Sequence, residues 1–255
     1  MASAWAGRSQ AERIMATRMM TLGRRVALAA VYFERYGLSL VFLGLAGLRV
    51  HRLVVLGQSE RSEISASPLI EILQQVIWVQ LYAYAGLLLL LGRRVMVPPQ
   101  KVADISLPLG TTFFYVLYAA VPWFPAWLKK SLCPVSWQAD CVVAGLLLNL
   151  LGLWIAIWAA VYLGRSFGVL IEVKKVVLEG AYRWMRHPMY SGYLCFLAGF
   201  ALANFSWAYF ILVPLHMALL LYRARLEEAR LAECSPEYQE YRKHTGFIFP
   251  KFRGR

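Results

Sequence analysis

VVAGLLLNLLGLWIAIWAAVYL, residues 142–163, runs for 22 positions without a charged side chain. A crossing of the hydrocarbon core takes roughly 17–25 mostly apolar residues, so this stretch reads as one complete transmembrane helix. Other apolar runs stand on both sides of it. Tyr36 to Val50, Ile70 to Leu91 (closed by Gly92-Arg93-Arg94) and Leu107 to Leu128 precede it, the last with Pro122 and Pro125 near its end. Met189 to Ala203 and Trp207 to Tyr222 follow, separated by Asn204-Phe205-Ser206. The second, third and fourth runs are long enough as they stand. The first becomes so by extending past Arg49. The last two are short and read as a tilted or partly re-entrant helical hairpin. The expected fold is all-α: a polytopic transmembrane helical bundle of about six spans, ending in that hairpin.

Composition agrees. Of the 255 residues, 60% are hydrophobic, and mean hydropathy is +0.52. Soluble domains hold about 45–50% apolar residues, and lipid accounts for the excess. The formal charge is +13. Its basic residues sit between apolar runs, a pattern that suits anionic headgroups and membrane topology better than nucleic acid, so no nucleic-acid partner is expected. With the N-terminus in the cytoplasm and six crossings, 22 of the 27 Lys and Arg fall on the cytoplasmic side. That bias predicts a multi-pass protein with both termini cytoplasmic.

Three regions follow. Residues 1–35 form a basic arm: Met15, Met19 and Leu22 recur at helical spacing with Arg13, Arg18 and Arg24 between them, which suits either a surface-lying amphipathic helix or a loose tail. No apolar core with a cleavage site marks a signal peptide. Residues 36–162 hold spans without a recognised motif. Residues 163–255 hold most of the polar groups suited to chemistry. Cys133 and Cys141 fall together on the outer side, as a disulfide or as two free thiols. Cys195 lies in an apolar run as a small buried residue. There is no CxxC or Cys/His cluster, and no metal site is expected.

Within 163–255 the loop LGRSFGVLIEVKKVVLEGAYRWMRHPMYSGY, residues 163–193, is too polar to span. Pro188 suits the first turn of the fifth helix, where its missing N–H costs nothing. The free N–H groups of that helix start can bind a carboxylate or phosphate, with Arg186 and His187 beside them. Equally, those two residues anchor a helix end among headgroups. Tyr222-Arg223-Ala224-Arg225-Leu226-Glu227-Glu228 continues the sixth helix, with Arg223 and Glu227 paired at i,i+4. The antiparallel hairpin brings both clusters to the same interface. Further on, Tyr238 and Tyr241 read as one face of a short amphipathic helix that either covers the site or lies on the bilayer, with packing the favoured role for the two rings.

At these residues the chain resembles the isoprenylcysteine carboxyl methyltransferase and phospholipid methyltransferase group of integral membrane enzymes. The resemblance covers Leu163 to about Phe252 and rests on an ordered set: LGRSFG, VLEGAYRWMRHPMYSGY, the hairpin, RARLEEARL, PEYQEYR and the closing Phe249-Pro250. It implies S-adenosylmethionine bound near the cytoplasmic face. His187, Tyr190 and the backbone near Gly192 would contact it, Glu228 would hold its α-ammonium, and Gly180 and Tyr182 would shape the loop closing over it. Arg225 would face the acceptor, and Arg186 would support either substrate. The methyl acceptor would be a lipid or small molecule carrying a carboxylate, thiol or amine. In one respect the chain departs from the carboxyl methyltransferases of eukaryotes. They carry an arginine on the helix before this loop, whereas residues 153–163 have no charge, and this leaves prenylcysteine in doubt as the acceptor.

Two other readings compete. NADPH-dependent sterol-type reductases resemble the chain in the RHPxYxG loop and hairpin, but differ in the acidic pattern after it; Glu227-Glu228 leans toward methyl transfer. A non-enzymatic membrane protein of the same architecture would show no cofactor binding.

Overall fold

The computed structural model describes residues 23, 25–58, 66–92, 98–172 and 176–251. Most of the basic arm lies outside the described residues, as do Arg93, Arg94, Lys174 and Lys175. The described residues are nearly all helical and contain no strand, only isolated backbone bridges such as that of Met185 with Gly246.

Helix α1, Ser39–Gln58, continues from a π-helical turn at Phe33–Leu38. It packs against α2, Ala66–Leu90. The continuous apolar helix extends from Arg25 to Val55, so the first run does grow past Arg49 to spanning length. Val135–Leu163 and Trp207–Cys234 are also long and apolar enough to cross a membrane, and Pro188–Ala203 is a shorter apolar helix.

The run from Leu107 to Leu128 is not one helix. It breaks into α3 (Ala103–Phe113), α4 (Tyr115–Ala120), a 3-10 turn at Val121–Trp123 and α5 (Ala126–Lys129). Pro122 falls in the 3-10 turn and Pro125 caps α5, each lacking the N–H that a continuing helix needs. Beyond Tyr222 the last hydrophobic run continues as helix, as expected, and α8, Trp207–Cys234, carries the charged segment.

The tightest pairing joins α6 (Gln138–Leu163) to α7 (Pro188–Ala203). Lipid tails are as apolar as leucine, so such helices associate by close packing of small residues and by interhelical hydrogen bonds. Gly145, Gly152, Gly192 and Gly199 make that seam. A Cβ added at Gly152 would meet Phe196 N at 2.4 Å and Gly192 O at 2.6 Å, and one at Gly145 would meet Gly199 O at 2.6 Å. Between them Asn149 Nδ2 donates to Phe196 O at 2.6 Å.

Contacts sort the helix ends into two groups. At one end Arg35 donates to Leu90 O at the close of α2, and Ile171 N donates to Asp104 O at the start of α3 (3.0 Å). The end of α6, the start of α7 and the charged part of α8 lie there too. At the other end Leu132 N, after α5, donates to Phe205 O in the hairpin turn (2.9 Å). Lys101, Arg183 and Arg186, described basic residues between helices, therefore share one end. Exposed Trp123, Trp127, Trp137 and Trp207 gather at the opposite end, where indole rings suit a headgroup layer.

Candidate active site at the basic end

A cavity of about 250 Å³ opens at the basic end, and nearly every part of the chain contributes to it. Its walls include Tyr82 of α2, Thr111 of α3, Tyr115 of α4, the loop from Ser166 to Glu172, Tyr190 and Tyr193 of α7, and Arg223 and Glu227 of α8. A ninth helix, α9 (Pro236–His244), closes one side with Tyr238 and Tyr241. Its start is capped by Ser235, whose side chain accepts from Tyr238 N. The two rings do more than pack: both line the cavity, and Tyr241 Oη donates to Tyr182 O at 2.6 Å.

The first cluster centres on Arg186. Its Nε donates to Glu228 Oε1, and its Nη1 donates to Thr245 O and to Arg242 O (3.1 Å). Glu228 is nearly buried, and Arg242 Nε approaches its second oxygen at 3.9 Å. His187 Nε2 lies 3.6 Å from Glu228 Oε1, beyond hydrogen-bond length, and makes no hydrogen bond among the described residues. The tail after α9 holds this corner in place: Arg186 N donates to Gly246 O (2.8 Å) and His187 N to Phe247 O (3.0 Å).

The second cluster centres on buried Arg223. Its Nε donates to Glu227 Oε1 (3.0 Å), Nη1 to Thr111 Oγ1 (3.2 Å) and Nη2 to Val169 O (2.5 Å). Tyr190 Oη donates to the same Glu227 oxygen at 2.5 Å. An i,i+4 pair that on a solvated helix would add little is here the buried floor of a cavity. Deeper still, His216 bridges Tyr118 Oη (3.1 Å) and Thr111 O (3.0 Å).

One wall is a strap, residues 167–171, held from three sides. Arg223 takes Val169 O, Asp104 O takes Ile171 N, and the buried carboxylate of Glu34 accepts both Val169 N and Leu170 N (3.0 Å for the latter). Glu34 sits in the π-helical turn, a local distortion often found at functional sites. Glu34→Ala would leave two buried amides without an acceptor, at about 1–3 kcal/mol each. Amide hydrogen exchange at residues 169–171 is expected to rise steeply, with Glu34→Gln intermediate because its carbonyl still accepts. Unchanged protection in the alanine variant would show that Glu34 does not hold the strap.

Of the residues the sequence singles out, Tyr182, Arg186, His187 and Tyr190 line the cavity. Glu228 stands directly behind Arg186 and His187. Gly180 adopts a positive φ of 60°, and a Cβ there would strike the ring of Tyr162, so the turn before Tyr182 requires glycine. Gly192 faces α6: its missing Cβ is what lets Ala156 N and Gly152 O approach. Arg225 is exposed, outside the lining, with its guanidinium 4.5 Å from the Phe247 ring centre. Sequence reasoning gave no site role to Thr111, His216, Glu34 or Tyr115.

The elements that build this corner, α6 through α8, are the elements a known family shares. Residues 141–235 match the phospholipid methyltransferase family. The match begins at Cys141 on α6, earlier than Leu163, and ends at Ser235, before α9. Over that stretch the chain is similar to the membrane methyltransferases that its motifs suggested. No curated protein matches the chain. The phospholipid methyltransferase region supplies Arg186, His187, Tyr190, Arg223, Glu227 and Glu228, while α2, α3 and α9 add walls from outside it.

Polar atoms without a partner show which side of the cavity is built for a polar ligand. Ser166 Oγ, His187 Nε2 and Tyr238 Oη are buried, have no hydrogen-bond partner among the described residues, and belong to lining residues. An unsatisfied buried polar group costs about 1–3 kcal/mol, and a ligand that satisfies it recovers that cost. Burial pushes the phenols of Tyr182, Tyr238 and Tyr241 up, so at neutral pH all three are protonated donors.

Proposed function

We propose that the chain binds S-adenosylmethionine in this cavity and directs its methyl group to a lipidic or small acceptor at the cytoplasmic membrane face. The observation that carries the reading is the convergence of Arg186-His187-Pro188 with Glu227-Glu228 around a cavity whose lining holds three polar atoms with no hydrogen-bond partner among the described residues. That donor set suits a ligand with an amino-acid head, and the surrounding aromatic rings suit a flat base and a cation.

When bound, S-adenosylmethionine supplies a methyl group already activated by its sulfonium, so the protein's task is alignment and exclusion of water. Arg186, fixed by Glu228 and two carbonyls, offers a preorganised cation for a carboxylate. His187 Nε2 and Tyr238 Oη provide hydrogen bonds. Glu228 places a negative charge beside them and orients Arg186. Gly180 and Tyr182 shape the enclosing loop, and Gly192 sets the position of Tyr190 by fixing how closely α7 meets α6. Arg225 stands at the exposed rim, where it meets an anionic acceptor or headgroup.

An ionised carboxylate acceptor needs no base. A thiol or amine must lose a proton, and Glu227 or His187 serves as its acceptor. The apolar lining of Phe42, Ala85 and Met189 suits a lipid tail beside the reacting head.

The test is transfer itself. Purified protein with methyl-labelled donor and a membrane lipid extract is expected to place label in the organic phase, and Arg186→Ala to abolish it. Label in no lipid, thiol or amine acceptor, by protein that binds the donor, would contradict the proposed transfer.

A further inference from the structure

At the end of the molecule opposite the cavity, Cys133 and Cys141 bring their sulfurs to 3.1 Å. We propose that these two residues form an intramolecular disulfide that faces an oxidising compartment. A disulfide bond measures about 2.0 Å, so a small side-chain adjustment closes the gap.

The backbone, not only the thiol pair, holds Cys133 in place. It is buried in the loop between α5 and α6, and its N–H donates to Ser131 Oγ at 3.1 Å. Leu132 N, next to it, donates to Phe205 O, and Pro134 opens the 3-10 turn Val135–Trp137 that leads into α6. Cys141 lies on the first turn of α6. The other two cysteines have different surroundings. Cys195 Sγ lies 3.5 Å from Leu148 O within the α6–α7 seam, and Cys234 is exposed at the end of α8.

The reaction balances with a thiol–disulfide exchange oxidant, either a protein disulfide or a small-molecule one. The thiolate of one cysteine attacks a sulfur of the oxidant and releases one thiol. The second cysteine then attacks the mixed disulfide, forming the Cys133–Cys141 bond and releasing the second thiol. Two hydrogens and two electrons pass to the oxidant. Such bonds persist in oxidising compartments and are rare in the cytosol. The exposed tryptophans put the pair at an interface, and apart from residues such as Lys129 and Lys130 most of the described basic residues lie at the other end, so charge and sulfur chemistry agree on orientation. Through Leu132 and Ser131 the bond would tie the α7–α8 turn to the start of α6, securing from behind the hairpin that carries the cavity.

Full-length protein in its native membranes is denatured with maleimide-polyethylene glycol, with and without prior reduction. The four cysteines should give two labels before reduction, on Cys195 and Cys234, and four after it. Cys141→Ser should give three labels without reduction, which separates this pairing from one between Cys195 and Cys234. Four labels on unreduced wild-type protein overturn the proposal, and so does a covalent dimer on a non-reducing gel in place of a monomer.

Discussion

Glu228→Ala is expected to weaken binding of S-adenosylmethionine on the order of a hundredfold, about 3 kcal/mol. The reason lies in what is left behind. Arg186 and Glu228 are a nearly buried pair, with side chains 10% and 4% exposed. Removing one partner of such a pair costs about 3–5 kcal/mol, because the other charge stays buried without compensation. Arg186 keeps its bonds to Thr245 O and Arg242 O, which places the expected loss at the lower end. The guanidinium then loses one of its three anchors, and His187 loses the negative charge beside it. Glu228→Gln separates shape from charge: it keeps a carbonyl acceptor for Arg186 and should recover the thermal midpoint more than the affinity. Equal donor affinity in wild type and both variants would remove Glu228 from the site.

Gly152→Ala should lower the thermal midpoint by several degrees or prevent folding. Alanine normally stabilises a helix relative to glycine by about 1 kcal/mol, so the expected sign runs against local propensity. The added methyl would lie 2.4 Å from Phe196 N and 2.6 Å from Gly192 O, both backbone atoms that cannot swing away. Overpacking of this kind costs about 1–3 kcal/mol or more, and here it also pulls Asn149 from Phe196 O. Gly44→Ala is the matched comparison. Nothing lies within 4 Å of a Cβ at Gly44, so the same substitution should be neutral or stabilising. Equal midpoints for Gly152→Ala and Gly44→Ala would contradict a close α6–α7 seam.

Period and polarity made the outline readable in advance. An uncharged run such as 142–163 leaves the chain little choice but helix, and the hairpin length alone implies that Arg186 and Glu228 meet at one end. Where the reading fell short, the cause was long-range contact. The hydropathy of 107–128 suggested one span, yet Pro122 and Pro125 sit where backbone donors were needed, and the helix breaks. The i,i+4 spacing of Arg223 and Glu227 shows an ion pair, but nothing local reveals that Arg223 also reaches Thr111 and Val169. Glu34 meets its two amides across 135 and 136 positions of sequence, a separation at which no local pattern carries a signal. The seam had a signal in the sequence: Gly145 and Gly152, like Gly192 and Gly199, stand two helical turns apart on one face, and small residues at membrane helix interfaces let backbones approach closely.

The central claim is that the cavity between Arg186, His187 and Glu228 is a methyl-donor site. Calorimetry of detergent-purified full-length protein against S-adenosylmethionine and, separately, NADPH tests it most directly. The account predicts micromolar binding of S-adenosylmethionine, none of NADPH, and loss of the signal in Glu228→Ala that remains folded. Binding of NADPH alone would contradict it and assign the cavity to reductive chemistry, and binding of neither by folded protein would leave the family likeness as one of architecture without the activity.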